Sequence, residues 1–185
     1  MRWLPSTCAR CLAAGPSSRG SSLSSARSRA GLGASAPAIG SPATSYTTAR
    51  FVDTNVLLYA ISRDPGEAAK AKRANDLLSA GDLGLSVQVL QEFYVQATRA
   101  SRADAISHEQ AAGLIESWRR FATQDITVDV MTAALGTRRR FGISYWDAAI
   151  IEASRALGCT VVLSEDLDEG TDYDGVRVQD PFGAG

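Results

Sequence analysis

Arg50-Phe51-Val52-Asp53-Thr54-Asn55-Val56-Leu57-Leu58-Tyr59-Ala60 is the stretch around which the rest of this chain is organised. Phe51 and Val52 read as the end of a short buried strand. Asn55 to Ser62 are apolar enough to make a buried first helix. Asp53 stands between the two. A carboxylate at the handover from strand to helix lies on the carboxyl edge of a sheet, where open α/β folds keep their sites. Asp is also a favoured helix N-cap, so the position taken alone fits a purely structural role. Where the later acids fall decides between the two readings.

Working outward, Arg63-Asp64-Pro65-Gly66 breaks the chain, and Glu67 to Ala80 reads as a second helix stopped by Gly81. Leu83 to Ser86 reads as a strand and Val87 to Ala100 as a helix, with Val89, Leu90, Phe93, Tyr94 and Ala97 on one stripe. Ser107-His108-Glu109-Gln110 has the capping-box pattern and opens a helix expected to reach Phe121. Ile126-Thr127-Val128 reads as a strand, Val130 to Phe141 as a helix closed by Gly142, and Tyr145 to Leu157 as a helix capped by Ser144. Thr160 to Leu163 is an apolar strand, Ser164 to Asp174 an acidic loop, and Val176 to Val178 a last short strand. Strands alternating with helices predict an α/β fold, a parallel sheet with helices on both faces. Residues 1–49 are rich in Ser, Ala, Gly, Arg and Pro without periodicity and read as a disordered tail.

The charge divides along the same boundary. Residues 1–50 carry six Arg and no acid; residues 51–185 carry all 20 acids against 13 Lys and Arg, a formal balance of −7. Such a domain is not built for bulk phosphate binding, which relies on many basic contacts. Any nucleic acid must be handled through a local patch or a metal. His108 is the only histidine, which excludes a multi-histidine zinc site and leaves a Ser-His-Asp triad with poor support. Cys8 and Cys11 have C-x-x-C spacing but lack the βαβ context of a redox site, and Cys159 reads as a small core residue. No apolar run approaches the ~20 residues of a membrane span.

Right-handed crossovers place the start of a helix that follows a strand at the carboxyl edge. That rule brings four acids from four segments to one rim: Asp53, Glu92 early in the helix after Leu85, Asp147 in the first turn of the helix leading to the last apolar strand, and Asp166 just beyond Leu163. Each has a local alternative, such as a Ser144-x-x-Asp147 capping box or a merely solvated acidic loop. Only a shared site accounts for all four. Two like charges at ~4 Å repel by about 4 kcal/mol at an effective dielectric of 20, so such a cluster calls for a divalent cation. Oxygen ligands without His or Cys point to Mg²⁺ or Mn²⁺.

Phe51-Val-Asp-Thr-Asn-Val-Leu-Leu-Tyr59, Gln91-Glu-Phe93, Ser144-Tyr-Trp-Asp-Ala-Ala-Ile150 and Val162-Leu-Ser-Glu-Asp-Leu167 together resemble the PIN-domain ribonucleases, and within them the VapC-type toxins of toxin–antitoxin pairs. The resemblance covers residues 50–182. It implies a three-layer α/β/α fold with a short central parallel sheet, preceded by the tail. It implies a Mg²⁺-dependent endoribonuclease that hydrolyses RNA phosphodiester bonds. Asp53, Glu92, Asp147 and Asp166 would form the acidic quartet, with Asp53 and Asp147 as the most direct metal ligands. Thr54, Asn55 and Ser164 match the small polar positions that orient the centre, and Asp168 is an extra acid able to exchange roles with Asp166. The expected partners are the RNA, a cognate antitoxin and a second copy of the chain, in a prokaryotic cytoplasm and not a membrane. On that reading residues 1–49 reflect a start assigned too early, with organellar targeting the lesser alternative.

Arg99 and Arg102 are the expected phosphate contacts, whereas Arg138, Arg139 and Arg140 read as a solvated helix end. Tyr145 and Trp146 could stack on a base, but spacing favours core packing for Trp146. Two rivals remain. A haloacid-dehalogenase-like phosphatase also has an Asp after its first strand, but expects a second Asp where Asn55 stands. A PIN scaffold that only binds RNA or a partner is the non-enzymatic alternative.

Overall fold

Five short strands form one parallel sheet in the order β3-β2-β1-β4-β5, with β1 at Arg50–Val52, β2 at Leu83–Ser86, β3 at Ala122–Gln124, β4 at Val161–Leu163 and β5 at Arg177–Gln179. The computed structural model describes residues 50–183, and the expectations for residues 1–49 lie outside the described residues. Six helices connect the strands: α1 (Thr54–Ala60), α2 (Ala68–Leu78), α3 (Val87–Ala97), α4 (His108–Trp118), α5 (Val128–Phe141) and α6 (Tyr145–Ala156). This is the expected α/β architecture. Among the described residues no helix is long and apolar enough to cross a membrane.

The strands are short because the buried runs are short. Phe51, Val52, Leu83, Leu85, Val162 and Leu163 are almost wholly excluded from solvent, as a parallel sheet covered on both faces requires. Val56 and Leu57 of α1, Val89 and Phe93 of α3, and Ile151 of α6 close over it. Phe93 meets Trp118 of α4 edge to face with ring centroids 4.7 Å apart. Cys159 is buried in the same core, as expected.

The chain leaves β1 toward β2 and β3, then returns to place β4 on the other side of β1. The strand order therefore reverses at β1 and β4, and the crevice beyond their carboxyl ends is where sheets of this kind bind ligands. Asp53 and Ser164 are the first residues past those two ends.

Two expectations about elements fail. Ile126-Thr127-Val128 is not a strand: the pairing strand is Ala122–Gln124, and Thr127 N-caps α5 by accepting from Val130 N at 3.2 Å. Ile126 and Val128 are 57% and 71% exposed, so their β-branched side chains have no sheet to pack on. Trp146 is not a core residue either. It is 61% exposed, because α6 buries Ala148 to Ser154.

Candidate active site

Asp53 uses its two carboxylate oxygens differently. Oδ1 accepts from Thr54 N at 2.6 Å and so caps α1, while Oδ2 accepts from the Ser164 hydroxyl at 2.7 Å. The backbone repeats the tie, Asp53 N donating to Leu163 O at 3.1 Å. The capping role and the site role are therefore both present, on different oxygens.

Neutral groups join Asp53 to the neighbouring acids. Asn55 Nδ2 lies 3.5 Å from Asp53 Oδ2, 3.3 Å from Ser164 Oγ and 3.3 Å from Asp166 Oδ2. Ser164 Oγ also accepts from Asp166 N at 3.1 Å and Leu167 N at 3.3 Å, which fixes the start of the acidic loop. The Thr54 hydroxyl donates to Glu92 Oε2 at 3.0 Å. Thr54, Asn55 and Ser164 are thus the links that hold Asp53, Glu92 and Asp166 in one constellation.

Gln88 adds a fourth element that sequence reasoning missed. Its buried amide donates to Glu92 Oε1 at 3.2 Å and to Trp146 O at 3.3 Å, tying the start of α3 to the first turn of α6. The available signal was its place four residues before Glu92, a spacing at which helix side chains meet. Asp147 follows Trp146. Its N–H bonds to Ser144 Oγ at 3.1 Å, but its carboxylate does not reach back to complete a capping box. Ser107 and Gln110 on α4 do complete theirs, as expected. The Asp147 carboxylate is left outside local capping; burial, and after it the charges of Asp168 and Asp147, push the Tyr173 hydroxyl up.

A second missed contact is Lys70 of α2, which bonds to Glu165 and, at 3.1 Å, to the Tyr59 hydroxyl. Glu165 sits between Ser164 and Asp166, so this pair secures the loop from its other side. Arg99 and Arg102 follow the end of α3 that is remote from Ser86. Arg102 is engaged with Asp104 at 2.6 Å, and Asp104 in turn accepts from Arg63 N. Arg102 is thus held by Asp104 and by none of the four acids. Arg138, Arg139 and Arg140 are exposed at the last turn of α5, and Arg140 pairs with Asp174 at 2.8 Å.

The electrostatics follow from burial. Asp53 is 6% exposed, and loss of solvent pushes its carboxyl up to about 6. The bonds from Ser164 and Thr54 N pull it down, and the charges of Glu92 and Asp166 push it up again. Among the described residues no Lys, Arg or His forms an ion pair with Asp53. Nor, among the described residues, are three or more Asp, Glu, His or Cys side chains already closed into a ligand set for one ion. Hydroxyl and amide groups intervene between the carboxylates, which limits their mutual repulsion. An open set of this kind suits Mg²⁺, which normally takes one or two carboxylates and keeps several waters. The Asn55 Oδ1 atom, buried and without a partner, is a further oxygen facing no donor. Oxygen donors, a carboxylate lacking countercharge and an orphaned amide oxygen together fit a hard divalent cation.

The sequence matches the PIN domain family over residues 50–170. The chain belongs to that family. Among solved structures it is similar to a toxin–antitoxin complex from Klebsiella pneumoniae, at 16% identity and a TM-score of 0.54, over 74% of this chain and 100% of that one. It is similar to VapC20 of Mycobacterium tuberculosis, a sarcin–ricin loop cleaving toxin, at 20% identity and a TM-score of 0.52, over 64% and 90%. The DNA-bound VapBC of Salmonella typhimurium matches at 19% identity and a TM-score of 0.51, over 72% and 98%. No curated protein gives a significant match.

Proposed function

We propose that this protein is a Mg²⁺-dependent endoribonuclease of the VapC type, the toxin of a toxin–antitoxin pair, with its catalytic domain in residues 50–182. The observation that carries the reading is the buried Asp53 carboxyl at the β1/β4 switch point, raised by burial, linked to Glu92 and Asp166 through Thr54, Asn55 and Ser164, and without a cationic partner among the described residues. Asp53 and Asp147 would hold Mg²⁺ or Mn²⁺, and Glu92 and Asp166 would complete the set directly or through water. Asp168 stands by as a further acid on the same loop. When bound, the ion supplies an acidified water and a charge that neutralises the phosphoryl transition state.

The chain's own residues do the positioning. Ser164 and Thr54 N fix the Asp53 carboxylate in one rotamer, Thr54 and Gln88 fix Glu92 from both oxygens, and Asn55 holds Asp166 toward Asp53. Burial raises the Asp53 carboxyl to about 6, so a cation held there would compete with a proton only at and below that pH. Two of the named neighbours are complexes, a toxin–antitoxin complex and a DNA-bound VapBC, which supports a protein antitoxin as partner. Val128, Met131 and Leu135 form an exposed apolar stripe along α5, which supports a homodimer. We place the protein in a prokaryotic cytoplasm, as the toxin reading requires.

The test is cleavage of a total RNA pool by the purified protein with Mg²⁺, with EDTA, and with Asp147→Ala in Mg²⁺. Cleavage in the first reaction alone is the expected result. Equal cleavage by Asp147→Ala would overturn the assignment of the centre.

A further inference from the structure

Among the described residues Trp146 is the only exposed Phe, Tyr or Trp. Fully burying a large apolar side chain contributes about 1.5–3 kcal/mol, and α6 takes that gain from Ile150 and Ile151 while leaving the indole outside. Trp146 sits in the first turn of α6 beside Asp147, and the Tyr145 ring meets it edge to face at 5.3 Å.

Its backbone is fixed to the acidic centre as well. The Gln88 amide that donates to Trp146 O at 3.3 Å donates to Glu92 Oε1 at 3.2 Å. The backbone from which the indole projects is therefore tied to Glu92 through contacts that do not involve the indole.

We propose that Trp146 is a stacking platform for an unpaired nucleobase of the RNA, one next to the bond cleaved at the acidic centre; this rests on the ribonuclease reading. The occupant follows from charge and shape. Residues 51–185 carry a formal −7, so phosphate neutralisation supplies little affinity. Arg102, one of the two arginines expected at the phosphates, is engaged with Asp104 beyond the end of α3. Stacking on an aromatic face needs no basic residue and is worth about 1–3 kcal/mol per base. Only an unstacked base in a single strand, loop or bulge presents its face to such a ring.

The experiment compares the wild-type protein with Trp146→Phe and Trp146→Leu on a single-stranded oligoribonucleotide that the wild type cuts. Steady-state cleavage is combined with binding of 2-aminopurine-containing single-stranded RNA in Ca²⁺, which leaves the RNA intact, and with sedimentation velocity. Leu keeps apolar bulk and loses the π-face; Phe keeps both. Trp146→Leu is expected to raise KM about tenfold with kcat within about twofold, and to lose the 2-aminopurine quenching. Trp146→Phe is expected to stay within about threefold of wild type in KM, with sedimentation the same for all three proteins.

An unchanged KM in Trp146→Leu overturns the proposal, as do equal losses in Leu and Phe. A changed sedimentation coefficient also overturns it, because the ring is then a subunit contact. Cleavage that ignores Trp146 removes the base site alone. Quenching without any cleavage by the wild type removes the ribonuclease reading and keeps the base site.

Discussion

Asp53 and Glu152 are buried to almost the same degree, 6% and 8% exposed, and each accepts from a hydroxyl, but their charged surroundings differ. Glu152 on α6 accepts from Arg155 Nε at 3.1 Å and from the Thr137 hydroxyl at 2.5 Å. Arg155 goes on to bond the carbonyls of Tyr173 and Asp174 at 2.8 and 2.7 Å, so this acid anchors the loop that leads into β5. Among the described residues Asp53 has only neutral donors, and beyond the effect of burial two more carboxylates raise its pKa further. A buried carboxylate does not mark a site by itself. The lack of a countercharge among the described residues does more, because a buried acid that serves the fold alone is ordinarily paired, as Glu152 is.

The contrast breaks first on activity. Asp53→Asn keeps the shape and removes the charge, and is expected to lower RNA cleavage about 10³-fold in Mg²⁺, since a catalytic ion contributes several kcal/mol to the barrier. Retention of cleavage within tenfold would sink the comparison, with kcat/KM as the readout. The next effect is on stability without metal. The Asp53 carboxyl titrates near 6 in the folded protein and near 3.8 unfolded, so between those values the native state binds more protons. Stability from this residue is therefore greatest below about pH 4 and falls as pH rises toward 6, by up to about 3 kcal/mol. Urea midpoints in EDTA should show Asp53→Asn matching wild type near pH 4 and exceeding it at pH 7. A gap that fails to widen with pH would show that Asp53 is not a desolvated, uncompensated acid.

Sequence made the Asp53 side of this contrast legible because the signals there are local or topological. Val52-Asp53-Thr54 marks a strand passing to a helix, and right-handed crossovers carry Glu92 and Asp147 to the same edge without any knowledge of contacts. Gly142 stops α5 at φ 71°, a backbone setting that favours glycine, and the sequence reading ended the helix there. The misses have physical causes. β3 is an edge strand of half-exposed residues and carries no period-two pattern, whereas Ile126 and Val128 look like a strand while facing solvent. The Lys70–Glu165 pair joins residues 95 positions apart, and nothing in either segment names the other. Trp146 was misplaced because an aromatic next to a buried helical stripe is ordinarily core.

Two smaller effects sharpen the comparison. Ser164→Ala removes a donor to Asp53 and an acceptor for two loop amides without touching a charge. Supporting groups of this kind are typically worth 10–100-fold in metal affinity or activity, so isothermal titration with Mn²⁺ should show a loss of that size. An unchanged affinity would mean that Asp53 is positioned by its cap to Thr54 N alone. The smallest effect belongs to Glu152. Glu152→Gln keeps an acceptor for Thr137 but leaves Arg155 without its carboxylate. Arg155 is 36% exposed and keeps two carbonyl acceptors, so water and backbone offset much of the lost pairing. The expected cost is about 1–2 kcal/mol of unfolding free energy, below the 3–5 kcal/mol of a fully buried broken pair. RNA cleavage should stay within about twofold, since Glu152 supports the β5 loop and reaches none of the acids. A loss of cleavage comparable to that of Asp53→Asn, at retained stability, would erase the distinction between the paired acid and the unpaired one.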